Sequence, residues 1–483
     1  MDVLDLKLSD AVTLAVPATL QSLTTYVLLE QETWFEKEMG FLRRWLRPGM
    51  TAIDIGANLG VYSLPMARLV GQTGQVFAYE PGSAARALLE RSRELNAALN
   101  LQISPFALSD RAREGRLAFG GSSELNTLGS GGAAEAGEAV HIVSLDGEDA
   151  ARNWPSPDFV KIDAEGEEER ILAGGREFFA RHSPLVMFEV TADGKVNERL
   201  RSIFPAIGYR LFRQLGGAPI LVPDDANQPL DQYELNLFAA KPDRVKGLAQ
   251  QDLLVESLAA WEPSESACKD ADSFWRRQKF TQPFDMKGWS ASPDPQYRSA
   301  LAAYATWRAP DQPVGIRCAA LLFALRGLQS ASARVPTAAR LSTLARIAWE
   351  WGARGESVAV LRRFFELLQG AGDERLDEPF WPASPRFDSI ELGGQPGNWF
   401  AGAAAEQFER TSQFSSVNNA RGSPILAWLC EQPFAATEME RRRILIAARA
   451  GQCPKVPMRL RAAASDHLNA DVWCSGRVPG TIT

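Results

Sequence analysis

The chain has 483 residues, 45% hydrophobic and 23% charged, which suits two or three globular domains and excludes overall disorder. Its net charge of −7 is uneven: residues 1–245 carry 24 basic and 34 acidic side chains, residues 246–483 carry 28 and 25. An acidic front half argues against nucleic acid as the main ligand, and five cysteines without a C-x-x-C pair and three histidines without metal-ligand spacing argue against a disulfide framework or metal centre.

Asp2 and Asp5 stand where a signal peptide carries basic residues, and no apolar run of about 18 residues suggests a membrane span, so the expectation is a cytoplasmic chain. Residues 12–16 read as strand. Residues 34–46 carry apolar side chains at helical spacing, ended by Pro48-Gly49. From residue 51 to about 190, strands alternate with helices: strands at 51–55, 75–80, 101–108, 141–145, 159–163 and 185–190, with a helix over 84–100. That alternation predicts βαβ units, hence an α/β fold with a Rossmann-like, doubly wound, mainly parallel sheet. Residues 209–212 and 235–240 have no helix between them and predict an antiparallel edge hairpin. The Gly/Ser/Ala-rich stretch 120–137 reads as a plain connector.

Lys241-Pro242-Asp243 closes this region, and the strand signal fades after it. Residues 298–370 read as helical, with a helical hairpin around Gly352-Ala353-Arg354-Gly355 that resembles a tetratricopeptide pair but has no second copy at a fixed period. Residues 371–400 read as a long ordered loop or a linker and 401–470 as helical. Arg441-Arg442-Arg443 reads as one solvated turn of helix. The expected domains are an N-terminal extension at 1–47, an α/β domain at 48–245, a linker at 246–297 and a helical region at 298–483.

The chemistry-bearing signal is Asp54-Ile55-Gly56-Ala57-Asn58-Leu59-Gly60, an acid near a strand end followed by glycines in the turn to a helix. Bare backbone there lets a ligand approach closely, and the helix start adds unpaired N–H groups. Tight strand–helix packing would explain the same glycines. The motif is not G-x-G-x-x-G, which disfavours a dinucleotide and a nicotinamide-dependent oxidoreductase; a carboxylate there suits the amino-acid end of S-adenosylmethionine. Glu80 ends the next strand, before Pro81, where a carboxylate can accept from both ribose hydroxyls. Asp110 follows the third strand, and Asp163 and Glu165 follow Lys161 at a later strand end. Carboxylates there can orient a hydroxyl, take its proton or hold a metal; capping of the following helix is the competing role for Asp163.

Taken together, residues 48–242 resemble the FkbM-type methyltransferases, a branch of the class I S-adenosylmethionine-dependent enzymes. The resemblance rests on the Asp54–Gly60 motif with Tyr62, Ala78-Tyr79-Glu80-Pro81, Ala107-Leu108-Ser109-Asp110, Ser144-Leu145-Asp146, Val160-Lys161-Ile162-Asp163-Ala164-Glu165-Gly166 and Asn236-Leu237-Phe238. Ala164 and Gly82 depart mildly from the family pattern. The resemblance implies S-adenosylmethionine as cofactor and O-methylation of a hydroxyl on a sugar, glycan or similar polyhydroxylated small molecule. It places Asp54, Gly56, Ala57, Asn58, Gly60, Tyr62, Glu80, Pro81, Ala107 and Asp110 at the cofactor, and Asp163, Glu165 and Lys161 at the chemistry, with no metal. His141 and His182 read as structural. The back half lies outside the resemblance: its tryptophans read as core, and acceptor binding, protein contacts or homo-oligomerisation are its expected roles. The competing function is a non-catalytic scaffold built on a relic methyltransferase domain.

Overall fold

The computed structural model describes residues 2–118, 127–128, 137–192, 195–281, 292, 294–371, 376, 378–392, 395–418, 423–452, 454–457, 460 and 468–474. The chain opens with an antiparallel hairpin, β1 (Val3–Lys7) and β2 (Thr13–Pro17), followed by α1 (Leu23–Gln31) and α2 (Glu38–Trp45). Periodicity predicts one helix from residue 34, yet α2 begins only at Glu38. Trp34 donates from Nε1 to the Glu36 carboxylate and packs its ring, tilted, 4.6 Å from that of Phe35, so residues 34–37 instead form a loop.

The α/β region then runs β3 (Thr51–Ile55), α3 (Ser63–Val70), β4 (Gln75–Tyr79), α4 (Ser83–Leu95), β5 (Leu101–Ser104), β6 (Phe106–Ser109), β7 (Arg113–Ala118), β8 (Thr127–Leu128), β9 (Gly137–Ser144), α5 (Leu145–Arg152), β10 (Phe159–Ile162), α6 (Glu168–Ala173), α7 (Arg176–Arg181), β11 (Leu185–Glu189), β12 (Thr191–Ala192), β13 (Lys195–Val196), α8 (Leu200–Ala206), β14 (Arg210–Gln214), β15 (Leu221–Pro223) and β16 (Asn236–Ala240). An eight-stranded sheet has the order β15-β14-β16-β11-β10-β3-β4-β5. β3, β4, β5, β10 and β11 are parallel, and β16, β14 and β15 form the antiparallel edge. Every residue of β3, β10 and β16 is buried, which is why these strands read as apolar runs. The order reverses direction between β3 and β10, the switch point outside whose carboxyl ends open sheets bind ligands.

Residues 101–108 do not form one strand. Pro105 lacks an N–H and divides them, and β6 leaves for a separate sheet of order β6-β9-β7-β8. The expected strand at 141–145 belongs to that second sheet as part of β9. Apart from β8 and Gly137, the expected connector at 120–137 lies outside the described residues, as do His467 and Trp289.

The chain does not leave the sheet at Lys241. α9 (Pro242–Ala249) adds Val245 and Leu248 to the sheet's core, and Leu221 of β15 bonds the backbone of Leu253 and Val255 at 2.9 Å each. Helices follow: α10 (Glu265–Arg276), α11 (Pro295–Arg308), α12 (Val314–Arg334), α13 (Ala338–Trp351), α14 (Arg354–Ala371), α15 (Pro396–Thr411), α16 (Pro424–Glu431), α17 (Thr437–Arg449) and α18 (Ala470–Cys474). Gly352, at φ +97°, terminates α13 in the left-handed conformation and lets α14 fold back on it. Among the described residues, α12 alone is long and apolar enough to span a membrane, but it packs between α11 and α13 and buries Cys318, Leu321 and Leu328. Trp275, Trp381 and Trp399 are core residues. Residues 380–388 are not a slack linker: Phe380, Trp381 and Phe387 are wholly buried.

The two halves share packing. Leu215, Ile220 and Val222, from the antiparallel edge, belong to the helical core, while Leu445 and Trp473 belong to the core under β2 and α1. The arginine run 441–443 is not a solvated turn, because Arg441 and Arg442 are 5% exposed. Arg442 Nε donates to Glu30 at 2.9 Å and Arg441 Nε to the Glu30 carbonyl at 3.0 Å, fastening α17 to α1. The Lys7 amide and carbonyl bond the Asn469 side chain at 2.8 and 3.0 Å, clasping together segments 462 residues apart.

Candidate active site

A cavity of about 520 Å³ opens over the carboxyl ends of β3, β4, β10 and β11. Register sets its floor: Asp54 of β3 stands beside Lys161 of β10, and alternation along the strand end brings Asp163 to the same side as Lys161. Lys161 Nζ lies 2.7 Å from Asp163 Oδ2, 3.9 Å from Asp54 Oδ1 and 5.1 Å from the centre of the Tyr62 ring. Asp54 is wholly buried; its Oδ2 accepts from Ser63 at 2.5 Å, and its Oδ1 has no hydrogen-bond partner. At the tip of β4, Glu80 accepts from the Asn58 amide at 2.8 Å and the Gly82 amide at 2.7 Å. The Asn58 side-chain oxygen is also buried and without a partner.

The far wall joins Asn236, from the last motif, to residues that the motif reading passed over. In the antiparallel register, Glu189 of β11 stands opposite Asn236 of β16. Asn236 and the Tyr62 hydroxyl each donate to Glu36 Oε2 at 2.8 Å. Trp34, Phe35, Thr191 and Phe414 complete this side. Glu189 carried a legible signal, an acid at a strand tip like Glu80. Glu36 and Phe414 carried none, since only tertiary folding brings the 34–37 loop and the end of α15 to the sheet.

Carboxyl groups dominate the charged part of the lining, with Lys161 as the cation among them. Burial disfavours the Lys161 ammonium, but Asp163, Asp54 and Glu36 outweigh it and hold its pKa above the ordinary value. Burial also raises Asp54, against the pull of Lys161. It pushes Glu80 up to about 7, against the two backbone amides. Glu189 is pushed up to about 11 by burial and by the charges of Asp163, Glu165 and Glu168, so at neutral pH it is a carboxylic acid, with Oε2 buried and unpartnered. One oxygen from each of Asp163, Glu165 and Glu189 falls within 4.8 Å of the others. These three could hold a divalent cation, or share the proton that Glu189 keeps.

Of the residues singled out from the motifs, Asp54, Gly56, Ala57, Asn58, Tyr62, Glu80, Pro81, Ala107, Lys161, Asp163 and Glu165 line this cavity. Gly60 and Asp110 do not. Gly60 (φ +89°) makes room for Leu64 and Leu89, whose methyl groups lie 2.6 and 2.5 Å from where a Cβ would stand, so its reason is helix packing. Asp110 turns away after β6 and pairs with Arg113 at 2.6 Å. Nor does Asp163 cap α6: Glu168 closes that turn by accepting from the Ala164 and Gly166 amides at 3.1 Å. Both described histidines are elsewhere, His141 paired with Glu114 at 2.7 Å and His182 with Asp149 at 3.1 Å.

The family model described as the methyltransferase FkbM domain matches residues 54–211, from the acid of the first motif into β14. This part of the chain is an FkbM methyltransferase domain. No curated protein matches the chain. Among solved structures, the chain is similar to methyltransferase FkbM from Methylobacillus flagellatus KT (16% identity, 40% of this chain and 43% of that one, TM-score 0.27). It is also similar to a precorrin-6y C5,15-methyltransferase from Geobacter metallireducens GS-15 (15%, 42% and 86%, 0.25). A third is an S-adenosylmethionine-dependent O-methyltransferase from Thermotoga maritima (17%, 42% and 64%, 0.23). The chain thus spans less than half the length of the Methylobacillus protein. The FkbM domain supplies the cavity floor, while Trp34, Phe35, Glu36, Asn236 and Phe414 come from outside its matched residues.

Proposed function

We propose that the chain is an S-adenosylmethionine-dependent O-methyltransferase whose acceptor is a hydroxyl on a sugar-like or otherwise polyhydroxylated small molecule. The observation that carries this reading is the set of buried acceptors at the β3 and β4 tips: Asp54 Oδ1 and Asn58 Oδ1, neither with a hydrogen-bond partner, beside a Glu80 carboxylate that retains lone pairs after accepting two amides. Orphaned buried acceptors are costly unless a ligand brings donors, and a nucleoside with an ammonium group and two ribose hydroxyls brings them. The acidic lining also favours a cation over a phosphate ester. When bound, S-adenosylmethionine supplies a methyl group on a positively charged sulfur leaving group.

The chain's own residues then align and deprotonate. Lys161 holds Asp163 by Oδ2, leaving Oδ1 to accept the proton of the acceptor hydroxyl, and Glu165 on the same turn orients that hydroxyl. Glu189, neutral, donates rather than repels. The aromatic wall of Trp34, Phe35 and Phe414 sets the acceptor's distance, since alignment of nucleophile and methyl is the main catalytic demand.

Calorimetric titration of the full chain with S-adenosylmethionine tests this. Binding is expected, and Glu80→Ala should weaken it by about 1–3 kcal/mol through lost charge-assisted bonds to ribose. Asp163→Asn should bind normally but slow methyl transfer to hydroxylated acceptors by roughly 10²–10⁴-fold. No binding by the folded wild type would favour the scaffold function instead.

A further inference from the structure

A second cavity, of about 340 Å³, lies at the seam where residues 35–38 and residues 233–235, beside the sheet's antiparallel edge, meet the helical half. It shares Phe35, Glu36, Leu235 and Phe414 with the first cavity. Its charge differs. Glu36 and Glu38 line it too, but it also holds four cations: Lys37, Arg386 and Arg410 are paired with Glu234, Glu406 and Glu438 respectively, while Arg354 at the start of α14 has no ion-pair partner among the described residues. Its guanidinium is wedged between Phe414 and Tyr233, 4.2 and 4.9 Å from the ring centres. Nε and Nη2 donate to the Thr411 and Gln413 carbonyls at 2.7 and 2.9 Å, while Nη1 bonds nothing among the described residues. Across the cavity, Gln407 of α15 is 3% exposed, and its side-chain nitrogen is buried without a partner. Arg354 is half-buried with Nη1 free to donate, and the Gln407 nitrogen, withdrawn from water, is an unused donor that is unfavourable unless something accepts from it.

We propose that the seam cavity binds the anionic end of the methyl acceptor, a carboxylate or phosphate carried on a polyhydroxylated ring, gripped by Arg354 and Gln407. This inference rests on the methyltransferase reading above. Charge contrast between the cavities orients the molecule: the carboxyl-lined chamber repels the anion, which settles at the seam, and a neutral hydroxyl points towards Asp163. The aromatic faces of Phe35 and Phe414 lie where the ring passes from one cavity to the other. On this view the helical half builds half of the acceptor site.

The test titrates the full chain, saturated with S-adenosylhomocysteine, with glucose, glucuronate and glucose 6-phosphate. At least one anionic sugar should bind tenfold or more tighter than glucose, and the preferred one separates carboxylate from phosphate. Gln407→Leu removes an unsatisfied donor, so the protein should melt at the same or a higher temperature, yet its preference for the anion should fall below threefold. Arg354→Met should lose the preference as well. Equal binding of all three sugars, binding of none, or a tenfold preference surviving in Gln407→Leu overturns the inference while S-adenosylhomocysteine binding stands. Failure to bind S-adenosylhomocysteine removes the methyltransferase reading itself, and this inference with it.

Discussion

Glu189 shows how one side chain links the site's chemistry to its stability. Its pKa of about 11 in the folded protein stands far above the ordinary glutamate value of about 4.3 in an unfolded chain. The raised value means that the folded state holds a proton the unfolded state has given up, so this group's contribution is fully present below pH 4.3 and is lost progressively as pH rises towards 11. Glu189→Gln, which mimics the protonated form, should therefore melt close to wild type near pH 5. It should melt increasingly above wild type as pH is raised to 9, a gap that thermal scans at several pH values will read directly. A gap that closes with rising pH would mean that the carboxyl is ionised in the fold. The residue was visible in the sequence as one more acid at a strand end, but a strand tip does not reveal how many like charges surround it. Asp163, Glu165 and Glu168 converge on it only through the turn after β10, where Glu165 takes a left-handed φ of +49°.

At the scale of elements, the glycines of the first motif have different reasons for being there. Gly56 (φ +80°) touches the cavity, but a Cβ on it would stand 1.8 Å from the Asp163 carbonyl oxygen, a rigid backbone atom. A Cβ on Gly60 would meet only the ends of two leucines. Gly56→Ala should cost roughly 2–5 kcal/mol from left-handed strain and overpacking, and Gly60→Ala roughly 1–3; chemical denaturation gives the order. Gly56→Ala should also depress methyl transfer, because the atoms it displaces carry Asp163. That Asp54, Asn58 and Glu80 would line a cavity at the strand tips was thus legible, whereas for Gly60 the plainer role of strand–helix packing is the one observed. Alternation of strands and helices was likewise readable. The departure of β6 into a second sheet hinges on Pro105, a local signal outweighed by the apolar run around it. The sheet's antiparallel edge was anticipated, but not that β16 would insert between β14 and β11, since pairing order depends on which strand tips the loops can reach.

Across the whole molecule, the helical half is fastened to the sheet at a few polar sites as well as by shared core. Glu30 is wholly buried and accepts from Ser415 at 2.7 Å, the Ser416 amide and hydroxyl, and Arg442. Removing one partner of such a set leaves the others uncompensated, so Glu30→Ala should destabilise by about 3–5 kcal/mol. If the halves unfold together, calorimetry should show the whole transition moving to lower temperature. A separate transition of the sheet, unmoved by the substitution, would show that they unfold independently. Composition could not disclose this coupling: the run 441–443 looks like surface charge until Glu30 and Glu32, some 410 residues earlier, are known to face it.

The clasp between Lys7 and Asn469 bears on biosynthesis. A ribosome releases Lys7, in the hairpin of β1 and β2, 462 residues before the asparagine that grips it, and Phe414, part of the cavity wall, emerges after every strand of the sheet. A growing chain can lay down its parallel strands early, but the cavity is enclosed only once residue 414 has emerged, so products interrupted before that point would lack the finished wall.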